Sequence, residues 1–320
     1  MQRRHLTTAI ALAATLSMTG SYAQTTDWPN QTVTLIVPYA AGGTTDLLGR
    51  ALAQSLSKQW GQPVVVENKP GAGGSLGVVD MRRTKPDGYR LTLVPVSIFR
   101  QPHIQKVPYD PLNDLTYAAS FMTYDFILNV AHDSPFQTLK DLVEHAKKQP
   151  NEINYGSPGK FTGNHVAMAL LAKAANVKFS HVPYKGDSEA TPALLGGHVQ
   201  AMVSTNSILN LINTGKVRAL AVAAETRPPA FANVPTFREA GYDVIVPSPL
   251  GIAGPKGLPA AVVQKLETSV SAALQDPEMQ RIIETNGVRP DYRDSAAYTA
   301  FAQQSFAEEK DIVQALDLDD

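Results

Sequence analysis

The chain has 320 residues, 43% of them hydrophobic and 18% charged, with a formal net charge of −1 and no cysteine. Such a length exceeds one average domain and can bury a sizeable core, so two domains are expected. No run of five like charges occurs, so the basic footprint of a nucleic-acid binder is missing, and the lack of thiols rules out disulfides, thiolate metal sites and a cysteine nucleophile.

The first 23 residues read as a targeting segment. Arg3 and Arg4 precede an apolar run from Ala9 to Leu16, and Ser21-Tyr22-Ala23 follows as a small-x-small cleavage signal. The run is shorter than the ~20 residues a spanning helix needs. Export with cleavage after Ala23 is expected, and with no cysteine to carry a lipid the mature chain should be soluble in a bacterial periplasm.

Residues 33–39, VTLIVPY, read as a buried strand that Pro38 stops before AAGGTTD. From Asp46 to Trp60, Leu48, Leu52, Leu56 and Trp60 fall four apart on one helical face, which Gly61 closes. PVVVENK (63–69) predicts a second strand, followed by a glycine loop, a helix, a Pro-Asp-Gly turn and a third strand. This alternation predicts a largely parallel sheet covered by helices.

From Phe126 a second cycle starts: FILNVAH as a strand, a helix over 139–148, the strand INYGS (153–157), the loop GKFTGN and an apolar helix from His165 to Ala175. KFSHVPY, a helix through Leu194-Leu195, HVQAMVS and VRALAVAA continue the pattern. The strand GIAG (251–254), a helix opened by Pro259 and further helical pieces end the chain. Two α/β domains of similar design are expected.

Several stretches could carry chemistry. Gly73-Gly74-Ser75-Leu76-Gly77 satisfies G-x-S-x-G, which would make Ser75 a hydrolase nucleophile. Asn68-Lys69-Pro70-Gly71 separates the preceding strand from that turn, however, and no histidine follows His198 to serve as the downstream base. A helix-capping serine in a glycine turn is the plainer reading. Gly71, Gly73 and Gly77 miss the dinucleotide spacing, and Phe161 after Gly159-Lys160 breaks a phosphate-binding loop. The histidines show no helical metal pair, so neither metal nor cofactor is expected.

Two matched features remain, GGTTD and GSPGKFTGNH, each leading into a helix, one per domain. Glycines admit a ligand to the backbone, Thr44, Thr45, Ser157, Thr162 and Asn164 bring neutral hydrogen-bonding groups, and helix N-termini favour anions. The plainer alternative makes Thr45 or Thr162 an N-cap, Asp46 a complement to the positive helix end and His165 a surface residue.

The ordered stretches VPYAAGGTTD, QWGQPVVVENKPGAGGSLG, PDGY, VPYDPLNDL, NYGSPGKFTGNH, VPYKG, LLGGHVQ, GKVRALAV, VPTFREAGY and GPKGLP span nearly the whole mature chain. In these the sequence resembles the Bug or TctC extracytoplasmic solute receptors of tripartite tricarboxylate transporters. The resemblance implies a two-lobed type II periplasmic-binding-protein fold, with residues 24–124 and 248–320 in one domain, 125–247 in the other, and the cleft between them. It further implies capture of a small carboxylate without catalysis, among them di- and tricarboxylates, acidic amino acids and aromatic acids, and delivery to membrane permease subunits. A monomer is expected.

Carried over by motif, Tyr39, Gly42, Gly43, Thr44, Thr45 and Asp46 belong to the first-lobe loop. Gly156, Ser157, Phe161, Thr162, Gly163, Asn164 and His165 would form the carboxylate site of the second, with Tyr184, Lys185 and Gly186 of VPYKG on the same cleft. Two departures bear on the ligand: Ser204-Thr205 stands where the family often has Asp-Asn, and Pro249 where it often has tryptophan. Loss of that carboxylate argues against an amino-acid ligand, although Ser204 also suits a plain strand end. Phe99 and Arg100 of SIFRQPH are candidates for flanking an aromatic acid and clamping a second carboxylate, or for core and solvent. The expected ligand is a dicarboxylate or an aromatic acid; a Ser75 hydrolase and a ligand-presenting sensory receptor are the alternatives.

Overall fold

The computed structural model describes residues 28–316, so the signal segment lies outside the described residues. Two sheets organise the chain. In the first, β1 (Val33–Val37) lies between β2 (Val64–Asn68) and β3 (Arg90–Val94), parallel to both. β10 (Pro249–Pro255) separates β3 from β4 (Leu115–Thr123), antiparallel to each, and β11 (Arg289–Arg293) forms the far edge.

In the second sheet, β6 (Asn154–Ser157) lies between β7 (Ser180–Pro183) and β8 (Ala201–Ser204), parallel to both, while β5 (Ile127–Ala131) runs antiparallel between β8 and β9 (Val217–Val222). The expected largely parallel sheets are therefore mixed. The chain leaves the first sheet on β4 and returns to it on β10; neighbours carrying the chain in opposite directions pair antiparallel.

Helices α1 (Thr44–Trp60), α2 (Leu76–Met81), α3 (Ser97–Arg100), α8 (Ala260–Ala273), α9 (Pro277–Asn286) and α10 (Ser295–Leu316) accompany the first sheet. α4 (Leu139–Lys148), α5 (Gly163–Ala175), α6 (Asp187–Leu195) and α7 (Leu209–Asn213) accompany the second. The four-residue spacing seen in α1 does bury Leu48, Leu52 and Leu56 completely, and Gly61 ends the helix at φ +65° with its amide on Ser57 O. α1 and α5 each begin two residues earlier than expected, because Gly43 and Thr162 take the extended N-cap conformation.

Candidate functional site

The two glycine loops run from central strands into α1 and α5. In the first, the Gly42 amide donates to Asp46 Oδ2 at 2.9 Å, Arg50 Nε donates to the same oxygen at 3.0 Å and Asn68 Nδ2 donates to Oδ1 at 2.8 Å. Burial pushes the Asp46 carboxyl up, yet these bonds together hold it below its usual range. In the second, Thr162 Oγ1 donates to Gly159 O at 2.9 Å and accepts from the His165 amide at 3.4 Å, while Ser157 Oγ meets His181 Nε2 at 2.7 Å.

The helix starts face one another across a small, partly open cavity of about 30 Å³. α1 contributes Gly43, Thr44 and Thr45; α5 contributes Gly163 and Asn164. Amides in a first helical turn lack an intrahelical acceptor, so both ends present N–H groups and positive helix poles to this space. Asp187, Thr205, Ser97, Ser248 and the rings of Tyr39, Tyr124 and Phe126 complete the polar and aromatic wall, and no Lys, Arg or His lines it. One water needs roughly 10–15 Å³ measured this way, so in this closed shape the cavity takes only small groups. Larger solutes require the lobes to part.

Close backbone approaches also join the segments that carry the two sheets. Ala40 N donates to Lys185 O at 3.1 Å across the lobes. A Cβ on Gly73 would lie 2.5 Å from Lys160 O, so the Gly71–Gly77 turn approaches the second glycine loop more closely than a side chain at 73 permits. A second, more open hollow of about 470 Å³ is bordered by Gly73, Lys160, Phe161, Tyr184 and Lys185. Among the described residues no cluster of three or more His, Cys, Asp or Glu could hold a metal, and no helix is long and apolar enough to cross a membrane.

Residues 48–318 match the family profile described as tripartite tricarboxylate transporter family receptor. The chain belongs to that family. It is 39% identical over 323 residues to the UPF0065 protein of the gbd 5′ region in Cupriavidus necator, covering 99% of each chain. The solved periplasmic binding protein BugD superposes with a TM-score of 0.87 at 32% identity, over 91% of this chain and 99% of that one. MatC of Rhodopseudomonas palustris, solved with bound malate, gives 0.84 at 29% identity over 89% and 100%. The fold is the two-lobed one of periplasmic binding proteins.

In this family receptor, the expected site residues divide. Tyr39, Gly43, Thr44, Thr45, Gly163 and Asn164 line the cavity. Gly42 and Asp46 instead fold the first loop, Gly186 caps α6 against Ala40, and Tyr184 and Lys185 border the second hollow, with the Tyr184 ring on Gly156. Ser157, Thr162, Phe161 and His165 turn into the second lobe: His165 Nδ1 accepts from the Phe161 amide at 3.1 Å and its ring stacks on His181 at 4.2 Å.

The clamp expected of Arg100 is corrected. Its side chain is fully buried, Nε and Nη2 each donate to Glu309 at 2.6 Å, and Nη1 donates to Phe161 O at 2.8 Å, leaving nothing to present to a solute. Phe99 is core, packed on Tyr117 and Phe301. Ser204 accepts from Asn129 Nδ2 at 2.7 Å inside the sheet, and its neighbour Thr205 reaches the cavity instead. Ser75 Oγ donates to Ala72 O at 3.0 Å; it neither caps α2 nor meets a histidine.

The inference from losing Asp-Asn is corrected as well. Asp187, the residue after VPYKG, is buried on the cavity wall, with Oδ2 accepting from the Thr205 amide at 2.9 Å and touching Thr205 Oγ1. A carboxylate therefore does stand beside Thr205, supplied by α6. Its signal in the sequence was an acidic residue at the first position of a helix, which looks like ordinary dipole complementation.

Proposed function

We propose that the protein captures a small organic carboxylate in the periplasm and delivers it unaltered to the membrane subunits of a tripartite tricarboxylate-type permease. The supporting observation is the small cavity where the N-termini of α1 and α5 converge with hydroxyls and no cationic side chain. A buried carboxylate needs hydrogen bonds to offset desolvation, and helix-start amides with Thr44, Thr45 and Asn164 supply them. The malate in MatC fits the same class. In this reading residues 24–124 with 248–320 form one lobe and 125–247 the other, and closure about the crossings excludes water from the solute.

The test is a thermal-shift and calorimetric screen of the chain from Gln24 against mono-, di-, tri- and aromatic carboxylates, esters and alcohols. One carboxylate class should raise the midpoint, be recovered unaltered, and lose affinity in Thr45→Val. At 100 times its dissociation constant a ligand adds about 2.7 kcal/mol, a readable shift. Consumption of an ester by the protein, or binding confined to uncharged solutes, would overturn the reading; solute uptake that persists without the permease genes would overturn the delivery step.

A further inference from the structure

Asp187 leaves one oxygen unused. Oδ2 is taken up by the Thr205 amide and hydroxyl, with Ser207 Oγ at 3.5 Å, whereas Oδ1 is buried and has no hydrogen-bond partner. The residue is 5% exposed and lines the cavity, whose wall holds no Lys, Arg or His to balance its charge. A buried carboxylate without a cation is costly, and an unsatisfied oxygen on it more so.

Its surroundings nonetheless favour the charged form. Asp187 opens α6, whose positive end stabilises an anion, and Oδ2 accepts from an amide and a hydroxyl, bonds that hold an ionised carboxylate. Burial outweighs these and pushes the carboxyl up; no cation among the residues lining the cavity balances a charged Asp187. A cationic donor on the solute would both neutralise Asp187 and satisfy Oδ1.

We infer that Asp187 makes the cavity selective for a solute carrying a protonated amine as well as its carboxylate, the ammonium seated on Asp187 Oδ1 and the carboxylate on the helix-start amides. This rests on the carboxylate reading above and reverses the ligand subclass expected from the Ser204-Thr205 replacement. It also explains the position of Thr205, whose Oγ1 lies 2.7 Å from Thr44 Oγ1, while Ser207 N donates to Thr44 Oγ1 at 2.8 Å. Through Thr205, Asp187 is tied to the start of α1 in the opposite lobe, so a solute on Asp187 bears directly on the closed state.

The test is calorimetry on the mature chain with pairs that differ only in the amine: aspartate and succinate, glutamate and glutarate, alanine and propionate, phenylalanine and 3-phenylpropionate. In at least one pair the amino member should bind tenfold or more tightly than its partner from pH 6 to 8. Asp187→Asn, checked for a native circular dichroism spectrum, should abolish that preference while leaving or improving the des-amino acid. Tighter binding of the des-amino acid by the wild type, or an unchanged ratio in Asp187→Asn, would overturn the inference and leave the carboxylate reading standing. Tight diacid binding that weakens as pH rises would assign Asp187 a proton instead of an ammonium and would equally overturn it. If no carboxylate of either kind binds, both fall. The wild-type ratio needs no variant, so a misfolded Asp187→Asn does not remove the test.

Discussion

The loops AAGGTTD and GSPGKFTGNH have the same composition logic and unlike outcomes. The first gives the cavity three successive residues, Gly43 to Thr45, and spends Asp46 on its own turn. The second also gives three, but scattered ones, Pro158, Gly163 and Asn164, and turns its serine, threonine and histidine into its own lobe. Distance from the helix start does not decide this alone: of the two N-cap residues, Gly43 lines the cavity and Thr162 does not. Glycine and hydroxyl content signals a tight loop before it signals a binding group.

The loops are also anchored differently, and that difference gives the largest expected effect. The first is held by Arg50, whose side chain is 52% exposed; the second is held through Phe161 O by Arg100, fully buried against Glu309. Arg100→Met leaves a buried carboxylate unpaired and should cost about 3–5 kcal/mol in denaturant unfolding. Arg50→Met removes a half-exposed partner from the buried Asp46, which keeps its bonds from the Gly42 amide and Asn68, and should cost less, about 1 kcal/mol. Equal losses would show that the two anchors bear equal weight.

Next come the glycines at the two helix starts. A Cβ on Gly163 would lie 2.2 Å from Phe126 Cζ, whereas on Gly43 the nearest atom is 3.8 Å away and φ is −83°. Gly163→Ala should therefore lose about 1–3 kcal/mol and bind the solute poorly, because Phe126 must leave its place on the wall. Gly43→Ala should change stability by less than about 0.5 kcal/mol. A tolerant Gly163→Ala would mean that Phe126 swings aside freely.

This contrast shows how far the sequence could be read. Strand and helix order, the two lobes and the helix starts at the cleft follow from periodicity, glycine turns and family motifs. The direction of β10 and β5 does not, because local pattern cannot say which neighbour a returning strand meets. Arg100 was legible as a solvated or binding cation but not as the buried partner of Glu309, 209 positions along the chain. Ser204 and Thr205 illustrate the finest limit: Ser204 ends β8 inside the sheet and Thr205 opens the turn after it on the cavity, so an error of one position exchanges core for cavity. Asp187 was hidden because its motif context described a helix start, and only the fold brings Thr205 and Thr44 to it.

The smallest effect separates the loops by pH. His165 and His181 stack in the second loop, and burial lowers His165 to about 4 and His181 to about 3, with Arg100 and Lys160 adding to the first and His165 and Lys160 to the second. Both are neutral in the folded protein near pH 5, while in the unfolded chain, with an ordinary histidine value near 6.5, they are largely protonated. The unfolded state then binds more protons, so stability is full above about pH 6.5 and falls with pH through the range down to these lowered values. The first loop contributes nothing there: Asp46, held below the usual 3.8, loses its contribution only when pH falls below that value. Asp187 and Asp125, raised by burial, work in the opposite sense, so the readout is the difference between proteins and not one slope. His165→Asn with His181→Gln keeps an acceptor for the Phe161 amide and a polar partner for Ser157, and should flatten the fall in unfolding midpoint between pH 6.5 and 4.5 relative to wild type. An unchanged slope would mean that the stacked pair is protonated in the folded lobe, and that the second loop, like the first, takes no part in this range.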